Sequence, residues 1–263
     1  AIFARGLQAF QDELHKQGYA LLVASSSYDP KIEEEQIRTF VSRGVDGLLL
    51  IGHDRSSEIV NYLQEKNIPA LVAWAHDPNA RLPSVGFDNF AAMSELARYV
   101  LSIGHRRIGM ISSWTQTNDR ARARVLAVKH VMLEGGLNPD NLVLIETDYG
   151  IETGSKAFDT IISNSRLPSI VFCGNDVLAA GALKQAKVRG MKIPEDISIT
   201  GFDDIEISRI TTPRITTVHV SHRRMGTEAS KKIIRIIEKK AFWQSTQLET
   251  SLKIRASLAK KID

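Results

Sequence analysis

The chain has 263 residues, 43% of them hydrophobic and 24% charged, with a single cysteine. That balance describes a folded globular protein and excludes a disordered chain, a collagen-like chain and a disulfide scaffold. Lys and Arg number 34 against 30 Asp and Glu, a net charge of +4; this excess is too small to point to nucleic acid or a membrane surface, and no apolar run reaches the ~18–20 residues of a membrane span.

Residues 1–17 place Ile2, Phe3, Leu7, Phe10 and Leu14 at helical spacing, with Gly18 as the stop. The sequence opens without Met and already in a helix, so its natural N-terminus is expected upstream. Residues 19–24 read as a short strand. Asp29-Pro30 opens a helix over 31–43, followed by an apolar strand at 47–51, a helix at 56–66 and strands at 70–73 and 84–87. The rhythm then repeats: helix 89–103, strand 107–112, helix 120–134, strand 142–147, helix 152–164, strand 169–173, helix 176–189 and strand 197–202. A strand near 215–220, a helix over 223–239 and a last strand near 247–256 close the chain.

Strands alternating with helices of ten to fifteen residues predict βαβ units and parallel sheets. Apolar runs such as Gly-Leu-Leu-Leu-Ile at 47–51 and Ser-Ile-Val-Phe-Cys at 169–173 suit strands covered on both faces. About ten strands is many for one sheet, and the turn-rich stretch Asp77–Pro83 precedes a boundary. Two stacked α/β lobes are therefore expected.

In open parallel sheets, ligands bind beyond the carboxyl ends of the strands. The residues just after the predicted strands are Ser25–Ser27, His53 to Arg55, Trp74, Asp88 with Asn89, Asn118 to Arg124, Asp148 with Tyr149, Asn175 with Asp176, and Asp203 with Asp204. Carboxylates, amides, guanidinium groups and aromatic rings together suit a polyhydroxylated or heterocyclic small molecule. Singly, each has a plainer reading: Asn175, Asp119 and Asp88 as helix caps, Trp74 and Tyr149 as partial core.

Catalysis finds no support. No glycine-rich dinucleotide or phosphate loop follows a strand, and no nucleophile elbow is present. His105 stands before a strand, at the wrong edge for a site, and reads as structural. His219 and His222 lack partners at metal-ligand spacing. Cys173 closes an apolar run and reads as a buried hydrophobe. Neither catalytic residues, nor a metal, nor a cofactor is expected.

The motifs resemble those of LacI/GalR-type bacterial transcription regulators. They are Val45-Asp46-Gly47-Leu48-Leu49, Val85-Gly86-Phe87-Asp88-Asn89, Gly104-His105-Arg106-Arg107-Ile108-Gly109 and Ala123-Arg124. The most specific are Phe172-Cys173-Gly174-Asn175-Asp176 with Ala179-Ala180-Gly181-Ala182, and the run from Pro194 to Asp204. Pro213 to Val218 and Met225-Gly226 complete the set. In family order they span nearly the whole chain.

The resemblance implies a type I periplasmic-binding-protein-like fold: two doubly wound, flavodoxin-like lobes joined by three crossovers, with a small-molecule effector between them. One lobe would comprise 1–88 and 222–246, the other 89–221 and 247–263. The family's cleft arginine falls on Arg124, its amide on Asn175 and its carboxylate on Asp203. Tyr149 falls where members often carry an aromatic contact, Val220 and His222 on second-crossover positions, and Phe3 with Ile2 on an early helix position that packs on ligand. Trp74 and Asp88 join them from their places after strands. Asp204 follows the pocket position and is expected to matter less than Asp203 to effector affinity.

The resemblance also implies a cytoplasmic homodimer that is not an enzyme, with operator DNA read by an N-terminal helix-turn-helix head that is missing here, as is the first strand of the N-terminal lobe. Ile205, Ile207 and Ile210 are expected to be exposed as part of a dimer surface. Sugars, sugar acids and nucleobases are the candidate effectors. The alternative is an exported solute-binding protein of a sugar transporter, which shares the fold and is usually a monomer.

These residues alone lack a clustered basic stripe: Arg120, Arg122 and Arg124 lie at one end of a strand, Arg106 and Arg107 at the other. In gel-shift assays with palindromic operators the chain is therefore expected to bind only non-specifically, with binding lost as salt rises through about 0.2 M. Tight, sequence-selective binding by these residues would contradict this.

Overall fold

The computed structural model describes residues 3–164, 166–239 and 244–261. Ile2 lies outside them. In chain order the elements are α1 (Ala4–Lys16), α2 (Pro30–Ser42), β1 (Leu48–Ile51), α3 (Ser57–Glu65), β2 (Ala70–Ala73) and β3 (Ser84–Gly86). Next come α4 (Asn89–Ser102), β4 (Ile108–Ser112), α5 (Asp119–Glu134), β5 (Val143–Glu146), α6 (Ile151–Ile162), β6 (Ile170–Cys173) and α7 (Asp176–Val188). β7 (Ser198–Thr200), the short α8 (Ile207–Ile210), β8 (Thr217–Val220), α9 (His222–Ile237), β9 (Thr246–Gln247) and β10 (Thr250–Lys253) complete the chain.

The chain divides into two compact units. The first holds Ala1–Asp88, Thr117–Asp119 and Ser221–Glu249; the second holds Asn89–Gln116, Arg120–Val220 and Thr250–Asp263.

The first unit contains a four-stranded parallel sheet in the order β1-β2-β3-β9. Its core gathers Ile37, Leu48, Leu50, Ile59, Leu63, Ala70 and Val72. Local chemistry sets the helix starts. The Asp29 carboxylate accepts from the backbone N–H groups of Lys31 at 2.8 Å and Ile32 at 3.3 Å, with Pro30 in the first helical position. Ser56 caps α3 by accepting from Ile59 N–H at 3.2 Å.

The second unit has a parallel sheet, β5-β4-β6-β7, and a separate antiparallel pair, β8 with β10. Every residue of β4 and β6 is buried, which explains why β6 is wholly apolar and β4 apolar up to Ser112. Cys173 is fully buried in β6, and desolvation pushes its thiol far above the ordinary range. His105 is buried at the amino edge, its Nδ1 2.9 Å from Ser169 Oγ and its Nε2 2.9 Å from the Ala259 carbonyl oxygen. Burial lowers its pKa, so the ring is a neutral tie between that edge and the C-terminal segment.

Three sequence expectations need correction. Residues 19–24 form no strand. Leu22 and Val23 are 58% and 65% exposed, and the segment pairs with none of the strands in the order β1-β2-β3-β9. A strand exists only through a hydrogen-bonded partner. The single strand near 247–256 is two short strands in different units: β9 pairs with β3, and β10 pairs with β8. Of Ile205, Ile207 and Ile210, only Ile210 is strongly exposed, at 79%. Ile207 packs on the second unit's core.

Glycine decides two close helix approaches. A Cβ at Gly181 in α7 would stand 2.2 Å from the Ile151 carbonyl oxygen and 2.8 Å from Ser155 N, both in α6. A Cβ at Gly226 in α9 would stand 2.0 Å from the Gly6 carbonyl oxygen in α1. Since backbone cannot yield cheaply, Gly181→Ala is expected to destabilise the protein by about 1–3 kcal/mol. Urea unfolding should show a lower midpoint at unchanged slope; an unchanged midpoint would mean that the two helices move apart freely.

Candidate functional site

In the second unit, the carboxyl ends of the parallel strands gather a set of polar side chains. Arg124, in the second turn of α5, is only 5% exposed. Its Nη1 donates to Asn89 Oδ1 at 3.3 Å and its Nη2 to Tyr149 Oη at 3.1 Å. The guanidinium carbon lies 4.6 Å from the centre of the Phe202 ring, within cation–π range. Asn175 follows β6 and is fully buried; its Oδ1 accepts from Leu178 N–H at 2.8 Å and caps α7. The cap reading and the site reading of Asn175 are thus compatible, because capping occupies the oxygen and leaves the amide nitrogen.

Asp203 and Asp204 follow β7 with φ of +99° and +51°. Left-handed backbone at a non-glycine residue costs about 1–3 kcal/mol and persists only where surrounding contacts hold it. Here the holding is visible. Asp203 N–H donates to the Val218 carbonyl oxygen at 3.0 Å. The Asp204 carboxylate accepts from Arg209 Nη2 at 2.8 Å, Arg255 Nη2 at 2.5 Å and Ser208 Oγ at 3.2 Å, with His219 Nδ1 at 2.9 Å. Burial alone would raise its pKa, but the hydrogen bonds from Arg209, Arg255 and His219 outweigh burial and hold it below the ordinary carboxylate range. Asp176 behaves oppositely: desolvation raises it well above that range, although Thr217 Oγ1 and Ile205 N–H donate to it at 2.7 and 2.8 Å.

Asp204 is therefore a buried ion-pair hub rather than a bland neighbour of Asp203. Sequence reasoning missed this because Arg255 is remote in the chain. Phe202 and Thr217 were also missed as site-building residues; their apolar or β-strand context carries no signal of the role.

The first unit places the other candidates as follows. Trp74 follows β2 with φ of +62° and is 4% exposed. Its Nε1 donates to His222 Nδ1 at 3.2 Å, and the Phe3 ring meets it edge-on at 4.9 Å. This fixes Nδ1 of His222 as an acceptor. Asp88 is half-buried two residues beyond β3. Asp119 lies inside α5, and its Oδ2 accepts from His53 N–H at 2.7 Å. Arg55 turns inward to Glu33, 2.9 Å away, and to the carbonyl oxygens of Gly52 and Ile51. Val220, in the second unit, is 3% exposed within β8. Among the described residues, no group of three or more His, Cys, Asp or Glu side chains could hold a metal ion, and no helix is long and apolar enough to cross a membrane.

Two α/β units with polar side chains at the carboxyl ends of parallel strands define a small-molecule-binding core of the periplasmic-binding-protein class. The periplasmic binding protein-like domain profile matches residues 97–258. The HTH-type transcriptional repressor PurR of Salmonella typhi is 30% identical over 263 residues, covering 98% of this chain and 76% of that protein. A LacI family transcriptional regulator from Silicibacter pomeroyi superposes with a TM-score of 0.90 at 30% identity, covering 99% of this chain and 95% of the other. The transcription regulator GntR from Chromobacterium violaceum superposes with a TM-score of 0.89 at 26% identity, covering 98% and 94%. The chain belongs to the LacI family of transcriptional regulators and constitutes its effector-binding core. These relatives are regulators, which favours that reading over a transporter's solute-binding protein.

Because the Asp204 carboxyl is depressed, the stability it contributes is complete at neutral pH. It is lost as pH falls from the ordinary value near about 4 toward the folded one. Asp204→Asn is expected to cost about 1–3 kcal/mol at pH 7, since the buried site loses its charge-assisted hydrogen bonds to Arg255, Arg209 and His219, which solvent reaches in part. The difference from the wild type should narrow below pH 4. Thermal melts across pH 3–8 would check this; a constant difference would detach the effect from ionisation.

Proposed function

We propose that this chain is the effector-responsive half of a cytoplasmic, non-enzymatic repressor. It would act as a homodimer and transmit effector binding to an N-terminal helix-turn-helix that reads operator DNA. The observation that carries the reading is the group at the carboxyl edge of the second unit: Arg124, Asn175, Tyr149 and Asp203, all wholly or partly buried, with Asp203 held in a left-handed backbone. Such strain belongs to sites whose geometry is fixed before the ligand arrives. Trp74, Phe3, His222, Asp88 and Val220 are proposed as further effector contacts. Trp74 and Phe3 would offer ring faces and edges; His222, held by Trp74 through Nδ1, would present Nε2–H as a donor.

The switch requires an effector that binds one arrangement of the regulator better than another. Moving the population from mostly one to mostly the other takes about 5 kcal/mol of differential affinity. Ile210, 79% exposed on α8, supports a self-association surface there.

Sedimentation equilibrium should give twice the 29.2 kDa chain mass, and Ile210→Asp should shift it to monomer; a wild-type monomer at micromolar concentration would favour the solute-binding alternative. Asp203→Asn should weaken a hydroxylated effector by about 1–3 kcal/mol in calorimetry, the cost of spoiling a charge-assisted buried hydrogen bond.

A further inference from the structure

The chain's net charge of +4 is not spread evenly. α9, in the first unit, holds Arg223, Arg224, Lys231, Lys232 and Arg235 against the single carboxylate of Glu228, an excess equal to that of the whole chain. Every exposed position of this helix is a cation: Arg223, Arg224, Lys231 and Arg235. Its other side, with Met225, Ala229, Ile233 and Ile236, is buried in the fold. At about 3.6 residues per turn, Arg224, Lys231 and Arg235 fall within about 40° of one another and form a row about 16 Å long. The clustered basic stripe that the sequence lacks around Arg106 and Arg120 therefore lies on α9, where exposure rather than composition reveals it. This corrects the expectation that the chain has no such stripe.

The row is unpaired, whereas other helix surfaces neutralise themselves. Arg38, Arg98, Lys184 and Arg189 are ion-paired with Glu34, Glu134, Glu152 and Asp159. Among the described residues, no ion pair engages Arg223, Arg224, Lys231 or Arg235. Half-buried Lys232 instead donates to the Gln244 carbonyl oxygen and, at 2.6 Å, to Thr246 Oγ1. Like charges four apart on a helix repel one another, and an anionic surface laid over them removes that repulsion.

We propose that the exposed face of α9 holds the phosphate backbone of duplex DNA without sequence preference, so that the core adds a contact of its own to those of an operator-reading head. The chemistry selects this anion over two others. A protein partner is anchored by apolar or aromatic groups at the centre of its interface, and no exposed position of α9 is apolar. A lipid surface takes up an amphipathic helix by its apolar face, and that face of α9 is buried in the fold. Duplex DNA carries one charge per ~1.7 Å of its axis, so a row of this length meets several phosphates, and contacts to phosphate oxygens need no base readout. The inference does not depend on the effector or its site.

The test is fluorescence anisotropy of a short labelled duplex of arbitrary sequence, titrated with the full chain between about 0.05 and 0.2 M salt. Three phosphate contacts predict binding that weakens about 40-fold over that range, a log–log slope of about −2.7. Replacing Arg224, Lys231 and Arg235 together by Gln should reduce the steepness of that slope by about 2–3. Lys231→Gln alone should reduce it by about 0.9, which keeps the test valid should the triple variant fold poorly. The control replaces three exposed cations of the second unit, Lys156, Lys187 and Lys192, by Gln; it changes the net charge equally and should leave the slope unchanged. Equal losses in the two triple variants would assign the binding to overall charge and overturn the inference. Absence of binding at the lowest salt, or a preference among unrelated duplexes that survives as salt rises, would overturn it as well. So would tighter binding of poly-L-glutamate or of phosphatidylserine vesicles than of DNA, which would give the face to an acidic protein or to a membrane. None of these outcomes bears on effector binding.

Discussion

The second unit turns on the carboxylate of Asp204. One buried side chain draws in Arg209 from α8, His219 from β8 and Arg255 from beyond β10. Three separate stretches of chain are thereby tied to the turn after β7. Arg255 extends the tie by donating to the Ile215 carbonyl oxygen at 2.8 Å and to Ser208 Oγ at 3.0 Å. The cost of burying a charge is met only because every face of the carboxylate is occupied. This network explains why two successive aspartates tolerate left-handed backbone, and hence why Asp203 has a fixed place at the sheet edge.

That edge combines satisfied and unsatisfied chemistry within a few residues. Asn175 uses its oxygen to start α7, while its amide nitrogen has no partner. Arg124 uses two nitrogens on neutral groups, and its third has none. An edge built this way is organised by the same bonds that hold the fold, so a ligand bound there would have little ordering to supply. The first unit uses different means at its own strand ends. Trp74 is fixed by His222, by the edge of Phe3 and by the close approach of α1 at Gly6, where a Cβ would come within 2.6 Å of the indole.

The sequence by itself determined the βαβ rhythm, because the apolar runs of β4 and β6 and the caps at Asp29, Ser56 and Asn175 are local signals. It also determined the candidate positions at the strand ends, since a parallel sheet presents its following residues at one edge. Tertiary structure decided what depends on partners distant in the chain. Residues 19–24 have strand composition, yet among the described residues they pair with no strand. The segment near 247–256 has continuous strand character, yet β3 and β8 take different halves of it. The ion-pair role of Asp204 depends on Arg255, 51 residues away in the chain. Composition and spacing record each residue's own preference, but strand pairing and buried charge compensation are properties of two or more segments, and only the folded chain brings those segments together.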